Sequence, residues 1–381
     1  MKFLHLSDLH IGKNLNGFSM IEEQKHVFAQ IIGYIKTEHP DAIIIAGDVY
    51  DRAIPGVEAV EVFDDFLTEC AGEDIAILLI SGNHDSPERI NFASRLLTQK
   101  RIYFYGSFDG KMHKVTLSDK YGNVHFWLLP FIKPIFARGL FDEKEIESYD
   151  DLVNEVIGKA AIDYKERNVL LAHQFFTKAG VRPVRSESEL TPIGGLDGVD
   201  SLIIEGFDYA ALGHLHGRQT VGAEHIRYCG SPLKYSFSEW RQEKSVTLAE
   251  LGKKGTLSVK ELPLFPLHDM REIKGEIGEL LSNAACLPER EDYVRVILTD
   301  EKEIIDPLGK LRSIYPNIMS LDFLNSRTSI NLSSVNRDTE LMEKLSNFEL
   351  FRQFFLETQG MVMNEEQEEI VRALLERNNE E

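Results

Sequence analysis

Five short motifs of aspartate, asparagine and histidine each close an apolar run, and they constrain the fold of this chain more than any other feature. They are Asp8-Leu9-His10, Gly47-Asp48, Gly82-Asn83-His84-Asp85, His173-Gln174 and Gly213-His214-Leu215-His216. The apolar runs, such as residues 42–46 and 76–80, have strand length and the Ile, Leu, Val and Ala content of strands buried on both faces. Because ligands collect at the carboxyl ends of strands in α/β sheets, we expect the motifs to meet in one site.

Two aspartates, one asparagine and four histidines in these motifs are the donors that a pair of divalent cations needs. Asp8 and His10 lie two residues apart, so both project to the same side of an extended backbone, and the same holds for His214 and His216. Neutral imidazole suits Mn²⁺, Zn²⁺ and Fe²⁺, and carboxylates are charged at neutral pH. We predict two metal ions bridged by Asp48. The first takes Asp8, His10, Asp48 and His216, and the second takes Asp48, Asn83, His173 and His214.

Such a donor set is typical of two-metal phosphoesterases, in which the ions stabilise the charge that develops during in-line attack on phosphorus. His84 is not needed as a ligand, so we predict that it is catalytic and protonates the leaving oxygen or stabilises the transition state. Asp85 is predicted to orient His84. The other seven histidines are interpreted as ordinary surface or core residues: His5, His26, His39, His113, His125, His225 and His268.

Each motif also has an explanation that involves no metal. Gly-Asp alone is most often a turn, and Gly82-Asn83-His84-Asp85 could be an asparagine-containing turn. A single histidine is more often a surface or core residue than a ligand. Five such motifs in order, each at a predicted strand end, favour the metal site over these explanations.

Composition limits the class of protein and its partners. A chain of 381 residues, 43% hydrophobic and 27% charged, is expected to be globular with two or more domains and no membrane-spanning segment. Three widely spaced cysteines (Cys70, Cys229 and Cys286) and a start without a secretory pattern favour a cytoplasmic location. The net charge of −20 is unusual for a protein that binds nucleic acid, so we expect weak DNA binding by this chain alone.

The pattern of strands and helices changes along the chain. Helices are predicted at 55–71 and 87–99, and a hairpin is predicted from runs at 114–117 and 124–129 around Tyr121-Gly122-Asn123. Four parts follow from these patterns: an α/β domain over 1–265, a small α+β unit over 266–325, a polar linker over 326–338 and a helical tail over 339–381. The tail is rich in leucine and phenylalanine, more apolar surface than one helix can bury, so it is expected to bind a partner protein.

The motifs resemble those of the calcineurin-like metallophosphoesterase superfamily. They are most similar to its bacterial branch of SbcD nuclease subunits, through residues 3–13 (FLHLSDLHIGK), 47–52 (GDVYDR), 82–86 (GNHDS) and 229–232 (CGSP). One position departs from archaeal and eukaryotic relatives, which carry a histidine where this chain has Asp51. The bacterial branch has aspartate there, so Asp51 is left out of the predicted catalytic set.

The resemblance implies a fold, an activity and partners. The fold would be an α/β metallophosphoesterase β-sandwich flanked by helices, with a small α+β capping domain and a C-terminal helical tail. The activity would be a manganese-dependent DNA nuclease, exonuclease on double-stranded ends and endonuclease on hairpins or single strands, in DNA repair and recombination. An SbcC-type ATPase would bind the tail, and helices within 55–99 would form a homodimer.

Two other functions remain open at this point. The first is a metallophosphoesterase that acts on small molecules or phosphoproteins, although the capping domain and partner-binding tail speak against a free-standing phosphatase. The second is a scaffold that has lost catalysis, which is disfavoured because the chain keeps every predicted ligand.

Overall fold

The computed structural model describes residues 1–137, 139–141, 146–178, 183–189, 198–283 and 288–325, with scattered residues between 348 and 372. The linker predicted at 326–338 and most of the tail predicted at 339–381 lie outside the described residues. The chain divides into two compact units, Met1–Arg271 and Glu272–Glu381. Among the described helices, none combines the length and apolar character needed to cross a membrane.

Strands and helices alternate along the described residues of both units. The strands are β1 (Lys2–Leu6), β2 (Asn14–Leu15), β3 (Phe18–Ser19), β4 (Ala42–Ala46), β5 (Ala76–Ile80), β6 (Ile102–Tyr105), β7 (His113–Asp119), β8 (Gly122–Leu129), β9 (Arg167–Ala172), β10 (Phe176–Thr177), β11 (Val199–Asp200), β12 (Tyr209–Leu212), β13 (Gln219–Val221), β14 (Ala223–Tyr228), β15 (Ser245–Leu251), β16 (Leu257–Pro263), β17 (Met270–Gly275), β18 (Tyr293–Leu298) and β19 (Ile318–Phe323). The helices are α1 (Ile21–Glu38), α2 (Val57–Gly72), α3 (Pro87–Ile90), α4 (Ser94–Leu97), α5 (Pro134–Ala137), α6 (Tyr149–Lys159), α7 (Ile277–Asn283) and α8 (Pro307–Arg312).

Two six-stranded sheets form the centre of the first unit. One has the order β16-β15-β1-β4-β5-β6, and its four strands from β1 to β6 are parallel. The other has the order β13-β14-β12-β9-β8-β7, and its four strands from β14 to β8 are parallel. Each sheet therefore has a block of parallel strands whose carboxyl ends lie at one edge. The predicted hairpin is confirmed as β7 and β8, which pair antiparallel.

The sheets pack face to face, and helices cover their outer faces. Successive side chains of a strand point to opposite faces, so Ile44 of β4 lies in the core between the sheets while Ile43 and Ile45 pack with helices α1 and α2. Helix α6 places Leu152 and Val156 against the outer face of the second sheet. The predicted fold class, an α/β sandwich flanked by helices, is confirmed.

The helix predicted at 87–99 is wrong as a continuous element. Helices α3 and α4 are separated by a turn in which Ala93 adopts a left-handed conformation, with φ of 58°. The Asn91 side chain accepts a hydrogen bond from the Gly106 N–H at 2.8 Å, which ties this turn to the end of β6. The apolar spacing that predicted one helix therefore belongs to two short helices joined by a tertiary contact.

The second unit has its own small core. Strands β17, β18 and β19 form a three-stranded sheet in that order, and β18 pairs parallel to β19. Val294, Val296 and Leu298 of β18 pack with Leu311 of α8. The boundary predicted after residue 265 stays a prediction, although the small α+β character of the segment agrees with the pattern of its sequence.

Candidate metal centre

The loops that follow β1 and β4 lie side by side and carry the first three predicted ligands. The Asp8 N–H donates to the Gly47 carbonyl and the His10 N–H donates to the Asp48 carbonyl, both at 3.0 Å. Asp8, His10 and Asp48 all have positive φ, at 53°, 44° and 50°. Non-glycine residues seldom adopt this region, and such strain persists at functional sites where surrounding contacts impose it. The sharp turns direct the three side chains toward the second sheet.

The second sheet supplies the remaining histidines from the ends of β9 and β12. His173 Nε2 lies 3.2 Å from Asp48 Oδ2 and 3.9 Å from Asp8 Oδ1. The His214 backbone N–H donates to both carboxylate oxygens of Asp8, at 2.9 and 3.1 Å. The sandwich therefore brings Asp8 and His214, which are 206 positions apart in the chain, into direct contact.

All seven predicted ligands lie together in this site. Asn83 Oδ1 lies 2.9 Å from His214 Nδ1 and 3.2 Å from His173 Nε2. Groups of side chains with ligand atoms within 4.8 Å of one another are Asp8, His10 and His216; His10, Asp48 and His84; and Asp8, Asp48 and His173. Asp8, His10 and Asp48 each belong to two of these groups, so the ligand atoms form one continuous cluster.

Two motif glycines explain why these loops can approach so closely. A Cβ on Gly82 would lie 2.1 Å from Asp48 Oδ1, and a Cβ on Gly213 would lie 2.0 Å from the Ala46 carbonyl oxygen. Neither distance is compatible with a side chain. The glycine that begins each of these two motifs is thus required by the packing of one loop on another.

His173 and His216 are each held through Nδ1 by a group outside the cluster of predicted ligands, so that Nε2 faces the cluster. His173 Nδ1 donates to the Ala46 carbonyl at 2.7 Å, and His216 Nδ1 lies 3.2 Å from Glu239 Oε1. The Nε2 atoms of His10 and His216 lie 3.1 Å apart. When Nδ1 of a histidine donates to an acceptor outside a metal site, the hydrogen is fixed on Nδ1 and the lone pair of Nε2 is left for the metal. The donor set therefore fits divalent cations.

The electrostatics of the cluster lead to the same conclusion. Burial opposes the ionisation of Asp48, yet the adjacent histidines, His173 foremost, hold its pKa well below the usual value. Burial also opposes protonation of His173, but the charge of Asp48 raises the pKa of His173 to about 9. Burial lowers the pKa of His214 to about 3 and that of His10 well below its usual value. Without a metal, the positive charge that the buried Asp48 needs comes from His173, and bound cations would supply it instead and leave the imidazole neutral to act as a donor.

Comparison with known proteins identifies the family. Residues 1–218 match the calcineurin-like phosphoesterase family. This chain belongs to it. Residues 266–359 match the family described as type 5 capsule protein repressor C-terminal domain. The family recognised from the sequence is thereby confirmed, and the chain is a hydrolase of phosphoester bonds.

Two relatives of this phosphoesterase are subunits of the nuclease SbcCD. This chain is 34% identical over 338 residues to the SbcD subunit of the nuclease SbcCD from Staphylococcus epidermidis (strain ATCC 12228 / FDA PCI 1200), covering 88% of each chain. It is 32% identical over 383 residues to the SbcD subunit of the same nuclease from Staphylococcus saprophyticus subsp. saprophyticus, covering 99% of each chain. The match includes both structural units and extends into the tail.

His84 lies at the edge of the phosphoesterase site, half-buried. Its backbone N–H donates to Asp48 Oδ1 at 2.8 Å, and its ring Nδ1 lies 2.9 Å from the Asp51 carbonyl oxygen. Its ring centroid is 4.8 Å from that of His10. The Asp51 backbone therefore positions the His84 ring, a role that no side-chain motif could indicate.

The prediction that Asp85 orients His84 is wrong. The buried Asp85 carboxylate accepts hydrogen bonds from the backbone N–H groups of Val49 (3.1 Å), Tyr50 (2.9 Å) and Gly82 (2.8 Å). It therefore ties the loop after β4 to the loop after β5. Burial, with the charge of Asp48, raises the pKa of Asp85 to about 6. Asp85 supports the site through the backbone and has no contact with His84 among its hydrogen bonds.

Sequence reasoning missed the polar residues behind His216. Glu239 and Lys244 are buried there and form an ion pair of 2.7 Å. Ser188 contacts the ring of His216, and Glu189 accepts a hydrogen bond from its backbone N–H. They are not part of any recognisable motif. Their role follows only from the folded chain.

Proposed function

We propose that this chain is the metal-dependent DNA nuclease subunit of a cytoplasmic complex with an SbcC-type ATPase, acting in DNA repair and recombination. The convergence of seven oxygen and imidazole donors at one buried edge of the sandwich carries this proposal. The family supports it, because its relatives are named as nuclease subunits. Double-stranded ends would be substrates for exonuclease action, and hairpins or single strands for endonuclease action.

Seven residues would hold two divalent ions, with Mn²⁺ as the expected metal. The first ion would take Asp8, His10, Asp48 and His216, and the second would take Asp48, Asn83, His173 and His214. When bound, such ions supply the positive charge that stabilises attack on a phosphodiester. The contacts of Asp48 with His10 and His173, at 3.7 and 3.2 Å, support its role as the shared ligand.

His84 would act on the substrate. Its Nδ1 donates to a backbone carbonyl, so Nε2 is left for the oxygen that leaves phosphorus. To act as a general acid the ring would carry a hydrogen on Nε2 as well, as an imidazolium does. Transfer of that hydrogen to the leaving oxygen would neutralise the charge that develops as the P–O bond breaks, and the ring would keep its hydrogen on Nδ1. The half-buried position of the ring gives DNA access to it without exposing the ligands, most of which are fully buried.

DNA affinity and assembly would depend on other chains. The net charge of −20 disfavours strong binding of DNA phosphates by this protein alone. The ATPase, bound to the tail at 339–381, would therefore provide most of the DNA affinity. Exposed apolar side chains within 55–99 support a homodimer, because Phe92 is 80% and Leu96 is 70% exposed.

The direct test gives the purified chain Mn²⁺ together with linear duplex DNA, a DNA hairpin or a small phosphodiester, with and without the ATPase. We expect hydrolysis of the small substrate by the chain alone and cleavage of both DNA substrates in the complex. Activity confined to the small substrate, even in the presence of the ATPase, would refute the nuclease assignment and favour a small-molecule phosphoesterase. Failure to take up two ions per chain would favour a scaffold.

The role of the tail has a separate test. A chain that ends before Thr339 should retain weak metal-dependent hydrolysis of the small phosphodiester but no longer co-purify with the ATPase. Continued co-purification would show that the partner binds elsewhere.

A further inference from the structure

A buried ion pair lies behind His216, on the side of this histidine that faces away from the metal centre. The Glu239 carboxylate is fully buried and Lys244 is 8% exposed. Lys244 Nζ donates to Glu239 Oε2 at 2.7 Å and to the His216 carbonyl oxygen at 2.9 Å. The pair therefore reaches both the main chain and, through Glu239, the ring of His216.

The ring contact selects one tautomer. His216 Nδ1 lies 3.2 Å from Glu239 Oε1 and 2.8 Å from Ser188 Oγ, and Ser188 donates to the same Glu239 oxygen at 2.7 Å. An ionised carboxylate only accepts hydrogen bonds, and the single hydroxyl hydrogen of Ser188 is already donated to Glu239. Both oxygens near Nδ1 are therefore acceptors, so Nδ1 carries the hydrogen and Nε2 presents its lone pair to the cluster.

The backbone of His216 is fixed at the same time. Its N–H donates to Glu189 Oε1 at 2.8 Å, and its carbonyl oxygen accepts from Lys244 and from the Ser231 N–H at 3.1 Å. Of two other ligand histidines, His173 makes its Nδ1 hydrogen bond with a backbone carbonyl, whereas His214 Nδ1 lies 2.9 Å from Oδ1 of Asn83, itself a predicted ligand. His216 differs from these two in having an ionised group at this position.

We propose that Glu239, held in place by Lys244, is a positioning residue that prepares His216 to bind one of the two metal ions. This inference rests on the metal site of the proposed function. Lys244 compensates the buried charge of Glu239, and Glu239 holds the ring so that Nε2 faces His10, with which it would bind the first ion. Loss of such an outer contact typically weakens metal affinity about 10- to 100-fold.

The test measures Mn²⁺ binding to the full-length chain by calorimetry and by the electron paramagnetic resonance signal of free Mn²⁺. In the Glu239→Gln variant we expect one ion to bind as in the wild type and the other to bind about 10- to 100-fold more weakly. Glu243→Gln is the matched control, because it removes a carboxylate four residues away that is 87% exposed. It should bind both ions like the wild type.

A second variant covers the case in which Glu239→Gln leaves Lys244 unpaired and does not fold. The double variant Glu239→Gln/Lys244→Met removes both charges, and the same selective loss of one ion is expected. Wild-type affinity for both ions, equal weakening of both, or loss of folding in both variants would overturn the positioning role. Wild-type protein that binds fewer than two ions would instead refute the metal site itself.

Discussion

Replacing His84 by alanine separates catalysis from metal binding and folding. The substitution keeps the backbone N–H that donates to Asp48 and removes the ring contact with the Asp51 carbonyl. One half-buried hydrogen bond is worth about 1 kcal/mol, so the free energy of unfolding should fall by about that amount. Loss of general acid catalysis should slow turnover about 10²- to 10⁴-fold, or about 3–5 kcal/mol in the activation barrier.

The assay is Mn²⁺-dependent hydrolysis of a small phosphodiester at saturating metal, with metal content and urea denaturation measured on the same samples. His225→Ala is the matched control, since His225 is also half-buried and its Nε2 lies 3.1 Å from a backbone carbonyl, that of Glu205. The control should lose similar stability and keep full activity.

Two results would refute the assignment of His84. Unchanged turnover in His84→Ala would remove it from the chemistry. Loss of one metal ion from that variant would instead make His84 a ligand, an arrangement compatible with its place within 4.8 Å of His10 and Asp48 ligand atoms.

Two further predictions concern packing and pH. Gly82→Ala places a Cβ 2.1 Å from Asp48 Oδ1, so the free energy of unfolding measured in urea should fall by about 1–3 kcal/mol and metal uptake should fall as well. In the control Gly33→Ala the added Cβ meets open space on α1, so the free energy of unfolding should rise by about 0.5–1 kcal/mol. A Gly82→Ala protein with wild-type stability and metal content would contradict the packing argument. Burial lowers the pKa of His5 to about 3 in the folded chain, whereas in the unfolded chain it stays near 6.5. Between these two values only the unfolded chain binds a proton at His5, so the free energy of unfolding falls as the pH drops from about 6.5 toward 3. In metal-free protein, His5→Gln should reduce that slope by at most about 1.4 kcal/mol per pH unit, and an unchanged slope between pH 7 and pH 5 would show that His5 does not titrate this way.

The elements that carry the predicted metal ligands follow from local patterns. Strands β4 and β5 have the predicted bounds, because an apolar run followed by glycine and a polar donor specifies both a buried strand and its end. The same local motifs contain the seven predicted ligands, which the structure brings together. Donor type and strand end are properties of a few consecutive residues, so they can be read without the fold.

The partners of those ligands depend on contacts between distant segments. The orientation of the His84 ring by the Asp51 carbonyl and the bonds of Asp85 to two loops involve backbone atoms, which leave no trace in residue type. The interruption of the predicted helix at Ala93 follows the contact of a neighbouring side chain with the end of β6.

The sequence by itself determined which side chains could bind metal and at which strand ends they lie. Only the tertiary structure decided that the ends of two different sheets meet, and that a buried Glu239–Lys244 pair stands behind His216. The physical reason is the range of the interactions. Strand formation and chain reversal depend on neighbouring residues, whereas sheet packing and the compensation of buried charge depend on groups that become neighbours only when the chain has folded.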